Sequence, residues 1–170
     1  MINNLELFLK GANALLEALT DYNEATNRLG EIDLQPDLPV EELALAVDDV
    51  ESIIGEREEI KARAEIAQAE MTKAIGKQTP EDVKLIECIF EGKEVKYALT
   101  GDKSLAKDVI YKLLAIQKEI IEKDTAIIKR FKAKQDEIKN TLKNLQGDKK
   151  KLDFLNLSAT GAHDSSGFNV

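Results

Sequence analysis

The feature that most constrains the fold is a long apolar pattern in the last third of the chain. Apolar residues recur there at alternating spacings of three and four, from about Ser104 to Gln146, which predicts one continuous amphipathic helix. Its apolar positions are Val109, Leu113, Ile116, Ile120, Ile127, Phe131, Ile138, Leu142 and Leu145. At 1.5 Å per residue this helix would be ~60 Å long, and its spacings suit a coiled-coil seam.

Polar residues interrupt and end this pattern. Asp124 and Gln135 stand where apolar residues would be expected, and a polar residue in a seam usually fixes register or orientation at some cost in stability. Gly147 is the predicted end of the helix, because glycine is common just past a helix C-terminus and lysines there suit the negative end of the helix dipole.

Two more long helices are predicted earlier in the chain. The first runs from Ile2 to Leu29 and stops at Gly30, and the second runs from Val40 to Ile75 after a proline-containing loop. The apolar positions of the first are Leu5, Leu9, Ala12, Leu16, Leu19, Tyr22 and Leu29. Those of the second are Leu43, Val47, Val50, Ile54, Ile60, Ala64, Ala67, Met71 and Ile75. The later half of the second helix is rich in alanine, which favours close approach of a neighbouring helix.

A short third helix has the clearest start signal in the chain. Thr79 can cap it, proline suits its first position, and Asp82 stands where a capping-box acid would. We therefore predict a helix over Pro80–Phe90, followed by a connection with a short extended piece at Val95–Leu99.

The composition agrees with an all-helical chain. Hydrophobic residues make up 43% and charged residues 33% of the 170 residues, as expected of long, heavily solvated helices. We predict an all-α protein, either an elongated helical bundle or an antiparallel helical hairpin, with one domain over residues 1–155. Residues 156–170 have no apolar period and little apolar content, so we predict a disordered, flexible polar tail there.

Charge is distributed in two opposite blocks. Glu31–Glu59 holds eleven acids and one base, whereas Lys129–Lys151 holds nine bases and three acids. We expect these blocks to attract each other within the fold, and the alternative is that one of them meets a charged partner. The net charge of −8 leaves the chain as a whole without the basic face that nucleic-acid binding needs.

The sequence also predicts a cytoplasmic location. Cys88 is the only cysteine, so no disulfide can form within the chain, which fits a reducing cytosol. The first ten residues lack the pattern of a secretion signal, and no stretch approaches the ~20 apolar residues that span a bilayer. We expect no membrane insertion.

No residue pattern favours catalysis. His163 is the only histidine and lies in the predicted tail, whereas a catalytic base or a metal site needs oriented neighbours or several ligands. Cys88 falls between apolar residues of the third helix, where a small hydrophobic role is more common than a nucleophilic one. We therefore expect no enzyme activity, no cofactor and no metal.

The apolar positions of the last helix are the best candidates for partner binding. Most of them are expected to be core, but two long helices and one short one cannot easily cover a ~60 Å seam. The uncovered part would be free for a dimer partner or for a client helix held in a groove. The candidate residues are Leu113, Ile116, Ile120, Ile127, Phe131, Ile138 and Leu142.

The last third of the chain resembles flagellar secretion chaperones of the FliT and FlgN type. A helix around Glu122, Lys123 and Asp124 leads to the lysine-rich run EIKNTLKNL and to GDKK, and a short polar tail with glycine and phenylalanine follows. The tail ends in GFNV rather than in basic residues, and the earlier two-thirds matches only in being helical and acidic.

This resemblance implies a cytosolic chaperone that holds an aggregation-prone helical segment of a hook-associated or filament-cap protein. The chaperone would deliver that client to the flagellar type III export apparatus. In this reading Phe154, Leu157 and Phe168 of the tail fold over the seam when no client is bound, or contact the export machinery. The alternative function is a homodimeric coiled-coil scaffold or adaptor with no export client.

Overall fold

Four helices make up the regular part of the structure, a computed structural model. It describes the backbone of residues 4–35 and 37–161, and the side chains of these residues except 142 and 153–161. The helices are α1 (Asn4–Glu31), α2 (Val40–Ile75), α3 (Pro80–Phe90) and α4 (Asp102–Gly161). Within the described ranges there is no strand, and the all-α prediction is confirmed.

Helix α1 is the centre of the bundle, because it packs against both α2 and α4. Ion pairs Asp21–Arg63 (2.9 Å) and Arg28–Glu56 (2.6 Å) show that α1 and α2 run antiparallel. Asn23 hydrogen-bonds Glu119 in the first third of α4, and Arg130 farther along α4 donates to the carbonyl of Gly30, so α1 and α4 run parallel. Helix α3 packs against the first part of α4.

The predicted bounds of α2 and α3 are confirmed. The hydroxyl of Thr79 accepts a hydrogen bond from the backbone N–H of Asp82 at 3.2 Å, which is the expected cap of α3. The connection from α3 to α4 is irregular, and Val95–Leu99 does not form a strand.

Helix α4 is longer than predicted, because it continues through Gly147 to Gly161. A glycine inside an exposed helix costs about 1 kcal/mol relative to alanine, which weakens the helix without stopping it. The backbone of residues 156–161 is therefore helical, and the rest of the predicted tail, with Phe168 and His163, lies outside the described residues. Of Phe154 and Leu157 only the helical backbone is described.

The structure has two apolar cores, and we name the larger one the base cluster because it lies at the end of the bundle opposite the arm. It joins the start of α1, the end of α2, α3 and the start of α4, and its fully buried members include Phe8, Ile86, Ile89 and Ile110. Helices α1 and α2 approach closely there, since a Cβ added to Gly11 would lie 2.8 Å from the backbone nitrogen of Met71. The close approach expected of the alanine-rich part of α2 is thus found in the base cluster.

The upper cluster lies where α1 ends. Its buried residues are Ala25, Leu29, Ile53, Ile60 and Ile127, and its half-buried margin is Tyr22, Ile32, Val50 and Phe131. It joins α1, the first half of α2 and the middle of α4, so the two clusters together hold these three helices along most of α1.

Two helix faces differ from their predicted orientation. In α1 the residues Phe8, Leu15 and Ala18 are buried, although the sequence pattern favoured their neighbours Leu9, Leu16 and Leu19, which are half-buried. Helix α1 has partners on two sides and buries a face wider than one stripe. In α2 the side chain of Ile53 points into the upper cluster, and the predicted core positions Val47 and Ile54 are exposed.

The two charge blocks do not pair with each other. Among the side chains that the structure describes, no ion pair joins the acidic block Glu31–Glu59 to the basic block Lys129–Lys151. The acids Glu56 and Glu58 contact bases of α1 and α2 instead, and Lys134 and Lys151 contact acids one turn away on α4. The expected attraction within one copy is therefore not realised as direct contacts.

Candidate partner-binding surface

A polar trio is built into the upper cluster. The Nη2 atom of Arg57 on α2 donates to both carboxylate oxygens of Asp124 on α4, at 2.7 and 2.8 Å, and to the hydroxyl of Tyr22 on α1. The guanidinium carbon lies 4.4 Å from the centre of the Tyr22 ring. Only 14% of the Arg57 side chain and 28% of the Asp124 side chain are exposed.

This trio ties all three long helices at one level. A buried charge pair is costly to separate, so sliding α4 along the bundle by one turn would leave two charges without partners. The interruption at Asp124, predicted to fix register, lies opposite a specific base on α2. The trio thus sets the level at which α4 leaves the bundle.

Arg130 caps the end of α1 from a distance of a hundred residues in sequence. Its guanidinium donates to the carbonyls of Gly30 at 2.6 Å, Ile32 at 3.0 Å and Leu29 at 3.3 Å. The last carbonyls of a helix lack partners within it, and a cation is favourable at that end of the dipole. Helix α1 ends at Glu31, one residue past the predicted stop at Gly30.

The predicted partner-binding residues are divided between core and surface. Leu113 is buried in the base cluster, and Ile127 is buried in the upper cluster. Ile120 is also buried, and Ile116 and Phe131 are half-buried. Only two candidates remain: Ile138, which is exposed, and Leu142, whose side chain lies outside the described part. In this structure a partner therefore has access to the far end of the stripe rather than to its middle.

The far end of α4 forms an arm whose described side chains are not covered by the other helices. We define the arm as residues 135–152 of α4, in which every described side chain is exposed. Ile138, Leu145 and Leu152 lie on it at intervals of seven residues and are 37–60% exposed. They continue the line of Phe131, which anchors the arm on the upper cluster. The arm is thus a helical extension of the bundle with an uncovered, narrow apolar stripe.

A second exposed stripe was missed by the sequence analysis. We define the α2 stripe as Val40, Val47 and Ile54, which are 42–83% exposed and also seven residues apart. Five acids and no base lie between its first and last residue. The sequence pattern assigned Val47 and Ile54 to the core, although seven-residue spacing within an acidic run was a usable signal for a separate surface.

Two carboxylates in the structure have pKa values below their ordinary range. The hydrogen bond from Lys103 is the main cause of the lowered pKa of Asp82, and Thr79 adds a second hydrogen bond. The hydrogen bond from Lys123 is the main cause of the lowered pKa of Glu119, with Asn23 as a second donor. Both carboxylates thus join helices or stabilise α4 as charged hydrogen-bond acceptors, and neither has the raised pKa of a general acid.

The residues that carry chemistry in other proteins do not cluster in the described part of the chain. No group of three or more histidine, cysteine or acidic side chains there could hold a metal ion. Cys88 is half-buried on α3, with Sγ 3.9 Å from the carbonyl of Lys93. It lines an open cavity of about 690 Å³ with Tyr97 and several lysines and glutamates.

The comparisons with known proteins identify no relative of this chain. No protein-family model, no curated protein and no solved structure matches this chain. Among the described helices, none combines the length and the apolar character needed to cross a membrane. The exposed arm of α4 and the acidic stripe of α2 are the surfaces from which a function has to be inferred.

Proposed function

We propose that this protein is a cytoplasmic flagellar export chaperone whose arm binds a helical segment of its client. The client is an aggregation-prone segment of a hook-associated or filament-cap protein, delivered to the flagellar type III export apparatus. The flagellar part of this proposal depends on the resemblance of the last third of the chain. The binding part depends on the arm.

The observation that carries the proposal is the uncovered apolar stripe of the arm. Exposed apolar residues scattered singly are ordinary on protein surfaces, whereas a stripe on one helix face fits helix-in-groove or helix-on-helix recognition. Ile138, Leu145 and Leu152 form such a stripe on a helix that the bundle holds at its other end. A client helix laid along this stripe would bury its own apolar face.

The charge of the arm favours a particular kind of client segment. Between Ile138 and Leu152 there are five bases and one acid. Complementary charge speeds encounter and rejects wrong partners more than it raises affinity, so we expect acids beside the apolar stripe of the client. A client that is disordered before binding must lose conformational entropy, which keeps the affinity moderate and allows release at the export gate.

The test is a titration of the purified protein with purified hook-associated and filament-cap proteins from the same organism. The double variant Ile138→Asp with Leu145→Asp should lower client affinity at least about a hundredfold, because two charges would enter an apolar contact. Ile127 and the other buried candidates are not suitable for this test, because a charge at those positions would also damage the core. Ile121→Asp is the matched control, because Ile121 is also an exposed apolar residue of α4 but lies before the arm, where α4 packs against α1.

Two results would contradict the chaperone proposal. One is the absence of binding to every flagellar candidate at micromolar concentrations. The other is binding that Ile121→Asp weakens as much as the arm variant does.

One observation favours the scaffold as a second candidate function. Phe131, Ile138, Leu145 and Leu152 recur at a strict interval of seven, which is the repeat of a left-handed coiled coil. A scaffold of this kind would pair arm with arm and would form a stable dimer that no client disrupts. The mass of the protein in solution, with and without the client, separates the two candidates.

A further inference from the structure

The arm and the α2 stripe match each other in length and spacing. Each has three exposed apolar residues at intervals of seven, Ile138, Leu145 and Leu152 on the arm and Val40, Val47 and Ile54 on α2. At 1.5 Å per residue each stripe is about 21 Å long. Two helices with equal apolar repeats can pack along their whole matching length.

The two stripes are also opposite in charge. Residues 40–54 contain five acids and no base, and residues 138–152 contain five bases and one acid. All of these charged side chains are exposed, and the only described ion pair among them joins Lys151 to Asp148 within the arm itself. The charges on each helix therefore remain available to a partner of opposite sign.

Within one copy the two stripes do not meet. Helices α2 and α4 run antiparallel, and the Arg57–Asp124 pair sets their relative level. Counting from that pair, Val47 is level with about residue 134 and Val40 with about residue 141. The centre of the arm stripe, Leu145, is therefore about 16 Å beyond the centre of the α2 stripe. The two stripes overlap in level only at their ends, where Val40 and Ile138 are both exposed. Sliding α4 back to close this gap would separate the Arg57–Asp124 pair. Most of the arm stripe therefore has no partner within the same copy.

We propose that a second copy of this chain covers the arm in the free protein. The arm of one copy lies along the α2 stripe of the other. The arm of the second copy makes the same contact with the α2 stripe of the first, as in the closed two-fold dimers that are commonest among homo-oligomers. Each contact joins three apolar residues on either side and places lysines of the arm opposite acids of α2. The dimer is therefore salt-sensitive and of moderate affinity.

This dimer goes beyond the chaperone proposal and does not require it. If the chaperone proposal also holds, an acidic client helix and the acidic α2 stripe compete for the same arm. Client binding would then dissociate the dimer into client-bound monomers, which protects the arm until a client is present.

Cysteine cross-linking tests the contact directly. Leu145 and Val47 are the central residues of their stripes, so they face each other whether the helices cross parallel or antiparallel. In the full-length chain with Cys88→Ser, a Leu145→Cys copy is mixed with a Val47→Cys copy that carries a tag of different mass. Oxidation should give a mixed cross-linked dimer, since both Cβ atoms come within disulfide distance.

The single-cysteine samples provide the controls. If Leu145→Cys alone cross-links efficiently and the mixture gives no mixed product, the arms pair with each other and the proposal is overturned. A mass by light scattering that stays monomeric at every concentration up to the millimolar range overturns it as well. A mixed product that forms equally from Ile66→Cys, exposed on a different part of α2, also contradicts it.

Charge reversal is the second measurement. Asp48→Lys with Glu51→Lys should weaken the dimer more than about tenfold, because like charges would then face each other. Lys139→Glu with Lys149→Glu on the arm should do the same, and a mixture of the two variants should recover a heterodimer. Glu65→Lys with Glu70→Lys makes the same net charge change on an exposed part of α2 outside the stripe, and should leave the dimer unchanged.

The dimer and the chaperone proposal can fail independently. Loss of the dimer in the α2 variant, with the apparent client affinity raised because its competitor is gone, supports both the dimer and the client site on the arm. Loss of the dimer in a protein that binds no flagellar client supports the dimer alone. Unchanged dimer mass in both charge-reversed variants overturns the dimer, whatever the client titration shows.

Discussion

The base cluster and the upper cluster hold the same three long helices by different means. The base cluster is apolar throughout, with α3 added as a fourth wall and with α1 against the backbone of α2 at Gly11. The upper cluster has few buried apolar residues and encloses the Arg57–Asp124 pair. A filled apolar core stabilises by burial, whereas a charge pair inside a small core costs desolvation and distinguishes one register from another.

The difference indicates separate tasks for the two ends. We expect the base cluster, which buries more apolar side chains, to supply most of the stability, and the upper cluster to fix where α4 leaves the bundle. Since the arm starts directly after the upper cluster, the accuracy of that register decides where Ile138 and Leu145 stand relative to α2.

The largest effect is expected in the base cluster. Phe8→Ala removes a ring that is fully buried, so the free energy of unfolding should fall by about 3–5 kcal/mol through lost burial and a residual cavity. Urea unfolding followed by circular dichroism measures it. Ile66→Ala on the exposed face of α2 is the control and should change stability by less than ~0.5 kcal/mol. If Phe8→Ala lowers the free energy of unfolding by less than ~1 kcal/mol, the base cluster is not the main source of stability.

A smaller effect with a distinctive pattern is expected at the polar trio. Asp124→Ala removes two hydrogen bonds to a charged group and leaves Arg57 without its acid, so stability should fall by about 1.5–3 kcal/mol. The double variant Arg57→Met with Asp124→Leu should recover most of that loss or exceed the wild type, because two charges no longer need desolvation. The buried Nε of Arg57 has no hydrogen-bond partner among the described residues, which adds to the cost of the native pair.

The double variant also tests the register function of the trio. Its stability should be high, but the arm should no longer be held at one level. Cross-linking between the Val47→Cys and Leu145→Cys copies should become less efficient in this background. Equal efficiency would show that the apolar contacts of the upper cluster set the register without the charge pair.

The smallest effect is expected where α3 joins α4. The Lys103 ammonium lies 2.9 Å from Asp82 and lowers its pKa, so the pair stabilises the fold above the ordinary carboxyl pKa of ~3.9. This stabilisation is lost as the pH falls through the lowered pKa. Asp82→Asn should therefore cost less than about 1 kcal/mol at neutral pH, and the difference from the wild type should vanish at acid pH. A difference that persists at pH 2 would assign the effect to the cap of α3 rather than to the charge.

The sequence predicted the elements better than their faces. Proline, threonine and glycine act locally, so the bounds of α2 and α3 were predictable from a few neighbouring residues. The cap on the end of α1 was not, because it comes from Arg130, a hundred residues away. The buried face of α1 was also predicted wrongly. Because α1 packs against two helices, it buries Phe8 and Leu15 and also half-buries their neighbours Leu9 and Leu16.

The candidate surface was only partly predictable for the same reason. The pattern of α4 is nearly uniform from Leu113 to Leu145, and nothing in it shows that α1 covers the first half and leaves the second uncovered. Opposite charge blocks were visible in the sequence, but nothing in it shows that their described side chains form no direct ion pair within one copy.

The parallel pairing of α1 with α4 has a consequence for synthesis on the ribosome. Chains emerge from the N-terminus, and the antiparallel α1–α2 hairpin can form as soon as its two helices are available. The side of α1 that α4 covers, including the carbonyl of Gly30 that Arg130 caps, must wait for more than ninety further residues. Contacts so distant in sequence also slow folding in general. The nascent hairpin thus carries an open apolar side for a large part of its translation, and the completion of α4 ends that exposure.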